Sequence, residues 1–225
     1  MITDFTKQTE LIDVENFNER INIIGCGALG SWLVFFLLKM GFKNIHVYDY
    51  DEIVEHNLPN QMFKEKDIGS KKVDAIYSMY KDFFNENEDR LKIHDTKVTA
   101  QNTSSIKGIV MCAVDSMNAR KMLYEQLFKY NSCDLFIEGR LSIYGGYVYT
   151  LTRNIDTSKY EETLYKDEDA EVSACGISQT ALPAAVNVAT MMIQNMIMIK
   201  TDMEENIYNY LMYSIPQLDT MKGRW

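Results

Sequence analysis

Three glycines with the spacing G-x-G-x-x-G give the sequence its clearest chemical motif. Gly25, Gly27 and Gly30 stand between an apolar run at 20–24 and a second, longer apolar run. In such a turn the first glycine permits a tight bend, the second lets the backbone approach a phosphate, and the third lets a helix pack closely. The free N–H groups at the start of that helix attract an anion. The motif therefore predicts a nucleotide-binding loop, which also includes Ala28.

An acidic residue stands at the distance from this loop at which nucleotide-binding folds hold a ribose. Asp49 follows Gly30 by 19 residues and comes directly after a predicted strand at 44–48. A carboxylate at this place can accept hydrogen bonds from both ribose hydroxyls. On these residues alone, a tight turn without a ligand and an NAD-dependent dehydrogenase both stay open as alternatives.

The elements that position these residues are predicted from apolar periodicity. Strands are expected at 20–24, 44–48, 92–94, 109–114, 135–138 and 146–152. Helices are expected at 31–40, 71–84, 118–130 and 178–200. A strand, a helix and a second strand in this order form a βαβ unit with a right-handed, parallel crossover. The sequence therefore predicts an α/β fold, a Rossmann-like and mostly parallel sheet flanked by helices.

One domain is expected over residues 1–225, because this length suits a single core. The polar, acidic segment at 153–171 interrupts the pattern, and we expect a crossover loop over about 153–177 before the last helix. The apolar stretch at 181–199 contains Pro183 and three side-chain amides, which are costly in lipid. A buried helix is therefore expected there, with no membrane span.

Charge and cysteine content narrow the function classes. The formal net charge of −9 disfavours a general nucleic-acid binder, since a phosphate backbone attracts positive charge. Cys26, Cys112, Cys133 and Cys175 lie far apart with no C-x-x-C pair, so neither a zinc ribbon nor a disulfide framework is expected. Reduced thiols and a polar start without a signal-peptide pattern predict a cytoplasmic protein.

The segment that begins at Asp49 carries a longer pattern. Residues 49–61 (DYDEIVEHNLPNQ) resemble the signature D-x-D-x-V-x-x-x-N-L-x-R-Q of the ThiF/MoeB/ubiquitin-activating adenylyltransferases, the HesA-MoeB-ThiF family. Residues 69–72 resemble the G-x-x-K that follows this signature in the family. Asp115 stands after an apolar strand, where the family has a metal-binding aspartate, and Arg120 matches an arginine often found just after it.

The N-terminal part extends this resemblance. Lys7 and Gln8, before a short helix, resemble the family's N-terminal R-Q, so the similarity runs from about Lys7 to Lys200. It implies a nucleotide-binding set drawn from the glycine loop and the family motifs: Gly25, Gly27, Ala28, Gly30, Asp49, Asp51, Asn57, Gln61, Lys72 and Asp115. ATP and Mg²⁺ are the implied cofactors.

The resemblance also implies roles within this set. Asp49 would hold the ribose, and Asn57 and Gln61 would contact phosphate. Each residue also has a simpler interpretation when it is taken alone. Asn57 then suits a turn or a helix cap, Asp115 suits the cap of the helix predicted at 118–130, and the lysines suit a solvated surface.

Three residues are implied to be catalytic: Lys72, Asp115 and Lys7. Attack of a carboxylate on an α-phosphate brings two anions together, so cations must screen the charge. Lys72 would neutralise the five-coordinate α-phosphate, and Asp115 would bind Mg²⁺. Lys7 would reach the site of a neighbouring subunit, which implies a homodimer.

The chain departs from the family pattern at two arginines. Asn60 stands where the signature has arginine, and Lys7 replaces the first residue of R-Q. A guanidinium contacts phosphate through a bidentate fork, whereas lysine keeps only the charge and asparagine keeps neither. We therefore expect a weaker or rearranged grip on the outer phosphates. The zinc-binding C-x-x-C pairs are missing too, and 137–140, 160–164 and 174–176 resemble short members without zinc.

Two features of the crossover region are open to more than one interpretation. Cys175 precedes a predicted helix, where a stabilised thiolate would make it a candidate acyl acceptor; a buried, small apolar residue is the alternative. The acidic side chains of this region suit selection of a basic partner surface, or simply solvent: Glu161, Glu162, Asp167, Glu168, Asp169 and Glu171.

Four functions are compatible with these motifs. The first is ATP-dependent adenylation of a C-terminal carboxylate, by resemblance that of a small ubiquitin-like (β-grasp) protein. The second keeps ATP and activates a small molecule or a tRNA-borne carboxylate, although the net charge of −9 disfavours tRNA. The third is a nucleotide-binding scaffold module with reduced or lost catalysis. The fourth is a dehydrogenase, which would bind NADH.

Overall fold

The computed structural model describes residues 4–84, 89–130, 133–153, 155–165, 180–201, 203 and 208–224. Its strands are β1 (Ile21–Ile24), β2 (Ile45–Asp49), β3 (Leu91–Asp95), β4 (Ile109–Cys112), β5 (Leu135–Ser142), β6 (Gly145–Thr152), β7 (Tyr210–Ser214) and β8 (Asp219–Gly223). They form one sheet in the order β3-β2-β1-β4-β5-β6-β7-β8. The strands β1 to β5 pair in parallel, and β6 to β8 extend the sheet in antiparallel fashion.

Helices cover both faces of this sheet. They are α1 (Gly30–Met40), α2 (Lys72–Phe83), α3 (Met117–Leu123), α4 (Ser158–Glu162) and α5 (Leu182–Lys200). Side chains of α1, α2 and α5 belong to the core on one face, and those of α3 and α4 belong to the core on the other. The central strands β1 and β4 are buried at every residue, as parallel strands covered on both faces must be. The predicted α/β fold with a mostly parallel sheet is confirmed.

Three parts of the chain differ from the sequence-based expectation. The strands β7 and β8 were not predicted, because β8 is almost wholly exposed and lacks an apolar face. The helix expected at 118–130 continues beyond α3 as a π-helical turn (Tyr124–Lys129), in which Tyr130 N–H donates to the carbonyl of Glu125, five residues earlier. The segment expected to be loop contains α4.

The helix α5 closes one face of the sheet. By length and composition its 19 residues can cross a membrane, and half of its most apolar window is buried inside the protein. A Cβ atom on Gly139 of β5 would lie 2.7 Å from Met192 Sδ and 3.2 Å from Val188 Cγ1. This close approach makes α5 the buried core helix that the sequence predicted at this place.

A cluster of aromatic and basic side chains lies on β2 and β3. His46 Nδ1 is 3.0 Å from His94 Nε2, and the rings of Tyr48 and His94 stack with centroids 4.2 Å apart. The guanidinium of Arg20 donates to the Tyr48 hydroxyl. Burial, followed by the charges of Arg20 and His94, lowers the pKa of His46 from 6.5 to about 4. His46 is therefore neutral in the folded protein at neutral pH.

We expect acidification to destabilise the fold through His46. The folded state binds this proton less tightly than the unfolded state, so stability is complete above pH 6.5 and falls as the pH drops towards about 4. Each unit by which the pKa is lowered corresponds to about 1.4 kcal/mol. His46→Gln should reduce the pH dependence of the urea midpoint across this window. His56→Gln, at an exposed position, is the control and should keep the wild-type pH dependence of the urea midpoint. An unchanged pH dependence in His46→Gln would contradict the prediction.

Candidate nucleotide-binding site

The turn from β1 to α1 is closed at its outer glycines and open at its middle one. A Cβ atom on Gly25, which has φ +93°, would lie 2.7 Å from the carbonyl oxygen of Ala113, and one on Gly30 would lie 1.9 Å from the carbonyl oxygen of Gly25. At Gly27 the nearest atom to a Cβ would be Gln61 Nε2, at 4.0 Å. The open space at Gly27 fits a phosphate at the start of α1, with half-buried Ala28 beside it.

Asp49 ties the glycine loop to the end of β2. Its carboxylate accepts hydrogen bonds from Cys26 N–H at 2.6 Å and from Asp51 N–H at 2.8 Å, one on each oxygen. The residue is 8% exposed. Each carboxylate oxygen can accept a further hydrogen bond, so the ribose role predicted for Asp49 fits this geometry.

Lys72 lies at the start of α2 and keeps its charge. Its Nζ donates to Asp51 Oδ2 at 2.8 Å, and the residue is 8% exposed. Burial lowers the pKa of Lys72, but the hydrogen bond to Asp51 and the negative charge of Asp49 outweigh it and raise the pKa above its ordinary value. Lys71 points elsewhere, since its Nζ donates to the carbonyl of Tyr50. The structure therefore brings Asp49, Asp51 and Lys72 together.

Asn57 and Gln61 belong to the segment that follows β2. Asn57 is 8% exposed, and its Oδ1 accepts a hydrogen bond from Val54 N–H at 3.0 Å, which leaves its NH₂ group able to donate. Gln61 lies beside the open space at Gly27, and its buried Oε1 has no hydrogen-bond partner in the described part of the chain. The Gln61 NH₂ group, which is the part of the side chain nearest that space, can donate to a bound phosphate.

This segment is fixed to the first turn of α1. Met62 N–H donates to Ser31 Oγ at 3.0 Å, and Trp32 Nε1 donates to the carbonyl oxygen of Asn60 at 3.0 Å. The Asn60 side chain itself donates to Thr180, two residues before α5 begins. The departure from the family pattern at Asn60 therefore coincides with a contact to a distant part of the chain.

Asp115 follows β4 with an exposed carboxylate. Ser116 caps α3 through a hydrogen bond from Ala119 N–H at 3.2 Å, so the cap that was an alternative role for Asp115 is taken. Asp115 makes no hydrogen bond with the residues that the structure describes. Its oxygens fit Mg²⁺, which binds through one or two carboxylates and the phosphates of its substrate. Among the described residues, no group of three or more His, Cys, Asp or Glu side chains is placed to hold a metal ion.

An ion-pair network that the sequence-based reasoning missed supports the Asp115 loop. Arg120 donates to Glu138 Oε1 and to the carbonyl of Gly139, both at 2.8 Å, and also to the carbonyl of Val114. Arg140 donates to Glu138 as well. Burial raises the pKa of Glu138, but the two guanidinium groups outweigh it and hold the pKa below its ordinary value. One signal for this network is present in the sequence: Glu138 lies within an apolar strand, and a buried carboxylate needs a cation beside it.

The same network reaches the start of the crossover region. Arg140 donates to the carbonyl and to the hydroxyl of Thr163, both at 3.0 Å, and Tyr160 of α4 donates to Glu138. Glu161 accepts hydrogen bonds from Lys129 at 2.7 Å and from the Tyr124 hydroxyl at 2.6 Å. Glu161 is therefore engaged within the fold. Cys175 and the acidic residues from 167 to 171 lie outside the described residues.

Lys7 is not brought to the site of its own chain. Its 3₁₀ turn (Thr6–Gln8) lies at the C-terminal end of α1, where a Cβ atom on Gly41 would be 2.6 Å from the Phe5 ring. The site lies at the other end of this helix. Its 11 residues span about 16 Å at 1.5 Å per residue.

The remaining candidates converge at one edge of the sheet. The glycine loop and Asp115 follow β1 and β4, and Asp49 is the last residue of β2; these three strands are neighbours. The helix after β1 covers one face and the helix after β4 covers the other. In open α/β sheets this switch point leaves the crevice in which ligands bind.

Comparison with known proteins identifies the family of the chain. A family model described as the ThiF family matches residues 8–224. The NEDD8-activating enzyme E1 catalytic subunit of Caenorhabditis elegans is 32% identical over 138 residues, which are 55% of this chain and 29% of that protein. The corresponding Drosophila melanogaster subunit is 31% identical over 124 residues, 53% of this chain and 27% of that protein. The chain thus spans less than a third of these curated relatives.

Solved structures share the fold at low sequence identity. The E. coli enzyme MccB with ATP has a TM-score of 0.72 and 14% identity, covering 98% of this chain and 69% of that one. MccB in complex with N-formylated MccA gives 0.76 and 14%, covering 92% and 64%. The E. coli tRNA N6-threonylcarbamoyladenosine dehydratase TcdA gives 0.64 and 18%, covering 88% and 95%. Because the family model matches nearly the whole sequence, the protein belongs to the ThiF family.

Proposed function

We propose that the protein is an ATP- and Mg²⁺-dependent adenylyltransferase that activates a C-terminal carboxylate. One observation carries the proposal: a buried, charged Lys72 and an exposed Asp115 without a hydrogen bond to the described residues stand at the sheet edge where Gly27 leaves room for phosphate. A dehydrogenase has no need of this cation and this carboxylate. The E. coli relative of similar fold whose structure contains ATP supports the same nucleotide.

The charged residues suit attack on an α-phosphate. A carboxylate oxygen forms a new bond to the α-phosphorus, and the bond to the bridging oxygen breaks, releasing pyrophosphate with its electron pair. Lys72 stabilises the negative charge that develops on the α-phosphate oxygens. Asp49 holds the ribose, and Asn57 and Gln61 hold phosphate, so that the α-phosphorus faces the substrate. Asp115 would hold Mg²⁺, which neutralises the charge on the departing pyrophosphate.

For the substrate we propose the C-terminus of a small ubiquitin-like protein of the β-grasp type. The curated relatives support this choice, because their names describe NEDD8 activation. A small-molecule carboxylate is the alternative substrate. The cytoplasm is the proposed location, which fits three buried and unpaired cysteines in the described chain: Cys26, Cys112 and Cys133.

We propose that two copies of the chain form a homodimer in which Lys7 serves the partner's site. Lys7 lies away from its own site, and beside its turn residues of α1 and α5 line an apolar groove of about 560 Å³. The groove is lined mainly by aliphatic, aromatic and methionine side chains, including Leu11, Phe36, Met40, Ile193, Ile197 and Met198. A second copy would cover this apolar surface.

A nucleotide-binding scaffold with reduced catalysis is the second candidate. Asn60 favours it, because the amide brings no positive charge to the outer phosphates and its nitrogen donates to Thr180. A scaffold of this kind binds ATP but does not release pyrophosphate, so pyrophosphate release distinguishes it from the adenylyltransferase.

Nucleotide binding is tested with two neighbouring lysines. Lys72→Ala should weaken binding of ATP·Mg²⁺ by about tenfold or more, because a charge-assisted contact is lost. Asp115→Asn should weaken ATP binding only when Mg²⁺ is present. Lys71→Ala, whose Nζ points to Tyr50, is the matched control and should bind normally. Calorimetry measures each affinity. If the wild-type protein binds NADH tightly and does not bind ATP, the proposal is refuted.

Adenylation is tested by exchange of labelled pyrophosphate into ATP. Exchange should require a β-grasp protein with a free C-terminal carboxylate and should cease when that terminus is amidated, because the amide is no nucleophile for phosphorus. The Lys72→Ala enzyme is the blank. ATP binding without exchange for every carboxylate offered would favour the scaffold candidate.

The position of Lys7 is tested by mixing inactive variants. Lys7→Ala and Lys72→Ala should each abolish exchange, whereas an equimolar mixture should recover about a quarter of the wild-type rate. Half of the dimers then contain both variants, and one of their two sites has both lysines. Light scattering measures the dimer. If the protein is a monomer, or if the mixture stays inactive, Lys7 does not act in the site of a partner subunit.

A further inference from the structure

Asn60 makes a long-range contact that no family role explains. Its Nδ2 donates to Thr180 Oγ1 at 2.5 Å and lies 3.3 Å from the Thr180 carbonyl oxygen. The two residues are 120 positions apart. The Asn60 Oδ1 atom is buried and has no partner within the described ranges. Both acceptors of the Asn60 amide nitrogen therefore belong to one residue.

This contact joins the segment that borders the phosphate space to the start of α5. On one side, the Asn60 carbonyl accepts from Trp32 Nε1 at 3.0 Å, and the next residue, Gln61, borders the space at Gly27. On the other side, Thr180 lies just before the first turn of α5, which begins at Leu182. One side chain thus holds the start of α5 against the segment that borders the phosphate space.

The geometry leaves the Asn60 side chain unsuited to bind phosphate. A phosphate oxygen accepts hydrogen bonds and needs a donor, whereas the part of this amide that Thr180 does not engage is a carbonyl oxygen, which is an acceptor. Arginine at this position would offer several donors and a positive charge. Asn60 therefore stands where the family signature has a side chain suited to phosphate, and its own side chain binds another part of the protein instead.

We propose that Asn60 is a positioning residue that fixes the phosphate-binding segment by anchoring it to Thr180. This inference rests on the proposed nucleotide function and assigns Asn60 a task within that site. Loss of the anchor lets Gln61 and the start of α1 lose their alignment around Gly27. Binding of AMP and binding of ATP then weaken by the same factor, because AMP retains the α-phosphate and lacks only the outer phosphates.

The test is a double-mutant cycle with Asn60→Ala and Thr180→Val. Thr180→Val removes the hydroxyl with little change of shape, and Thr180→Ser restores it. Each single variant should weaken both AMP and ATP·Mg²⁺ by about two- to tenfold, the range for one hydrogen bond. The double variant should be no weaker than Asn60→Ala alone, and Thr180→Ser should bind like wild type. Calorimetry on the full chain measures every affinity.

Two results overturn the inference. Selective loss of ATP affinity in Asn60→Ala, with Thr180→Val normal, would make Asn60 a ligand of the outer phosphates. Additive effects of the two substitutions on the urea midpoint would show that the residues act independently. This stability cycle needs no nucleotide. If the two substitutions are coupled in the urea midpoint but the wild-type protein binds neither AMP nor ATP, the anchor is supported and the proposed function is refuted.

Discussion

The close approach of α1 to β1 is the constraint on which the rest of the site depends. No Cβ fits at Gly30, because it would lie 1.9 Å from the Gly25 carbonyl oxygen, so the helix starts directly on the turn that leaves the strand. This fixes the first turn of α1 at the sheet edge. Ser31 and Trp32 on that turn then hold the segment that contains Asn60 and Met62. One steric requirement thereby positions the loop, the helix terminus and the segment beside them.

The charge around this turn explains why the site needs more than its own side chains. Asp49, Asp51 and Asp115 bring three carboxylates to the edge, and Lys72 brings one ammonium group. The Asp49 carboxylate is engaged by two backbone N–H groups, and the Asp51 carboxylate lies on Lys72. A polyphosphate therefore meets a net negative set of side chains. The start of α1 offsets part of that charge, and the proposed cation on Asp115 and the proposed lysine from a second subunit would offset the rest.

The sequence predicted what is local and missed what is distant. The turn, the helix and the strand around Gly25 and Asp49 lie within 30 residues, and their spacing alone restricts the geometry. The Asn60 contact with Thr180 spans 120 residues, and no local pattern indicates it. The strand β8 escaped prediction for another reason: its side chains are mostly exposed, and pairing with β7 alone defines it. The capping role of Ser116, beside Asp115, required the coordinates of α3.

The buried network around Glu138 orients polar groups near the carboxyl ends of the strands. Glu138 is fully buried, and the desolvation of its charge is offset only because Arg120, Arg140 and Tyr160 all donate to it. Apolar side chains of similar volume commonly stabilise a core as well as such ion pairs do or better. What apolar side chains cannot do is orient polar groups. Arg120 holds the carbonyl of Val114, the residue before Asp115, and Arg140 holds Thr163 at the start of the crossover region. A single carboxylate thus fixes the proposed metal-binding loop relative to the described residues around Thr163, and the proposed reaction between a bound nucleotide and an incoming carboxylate requires such alignment.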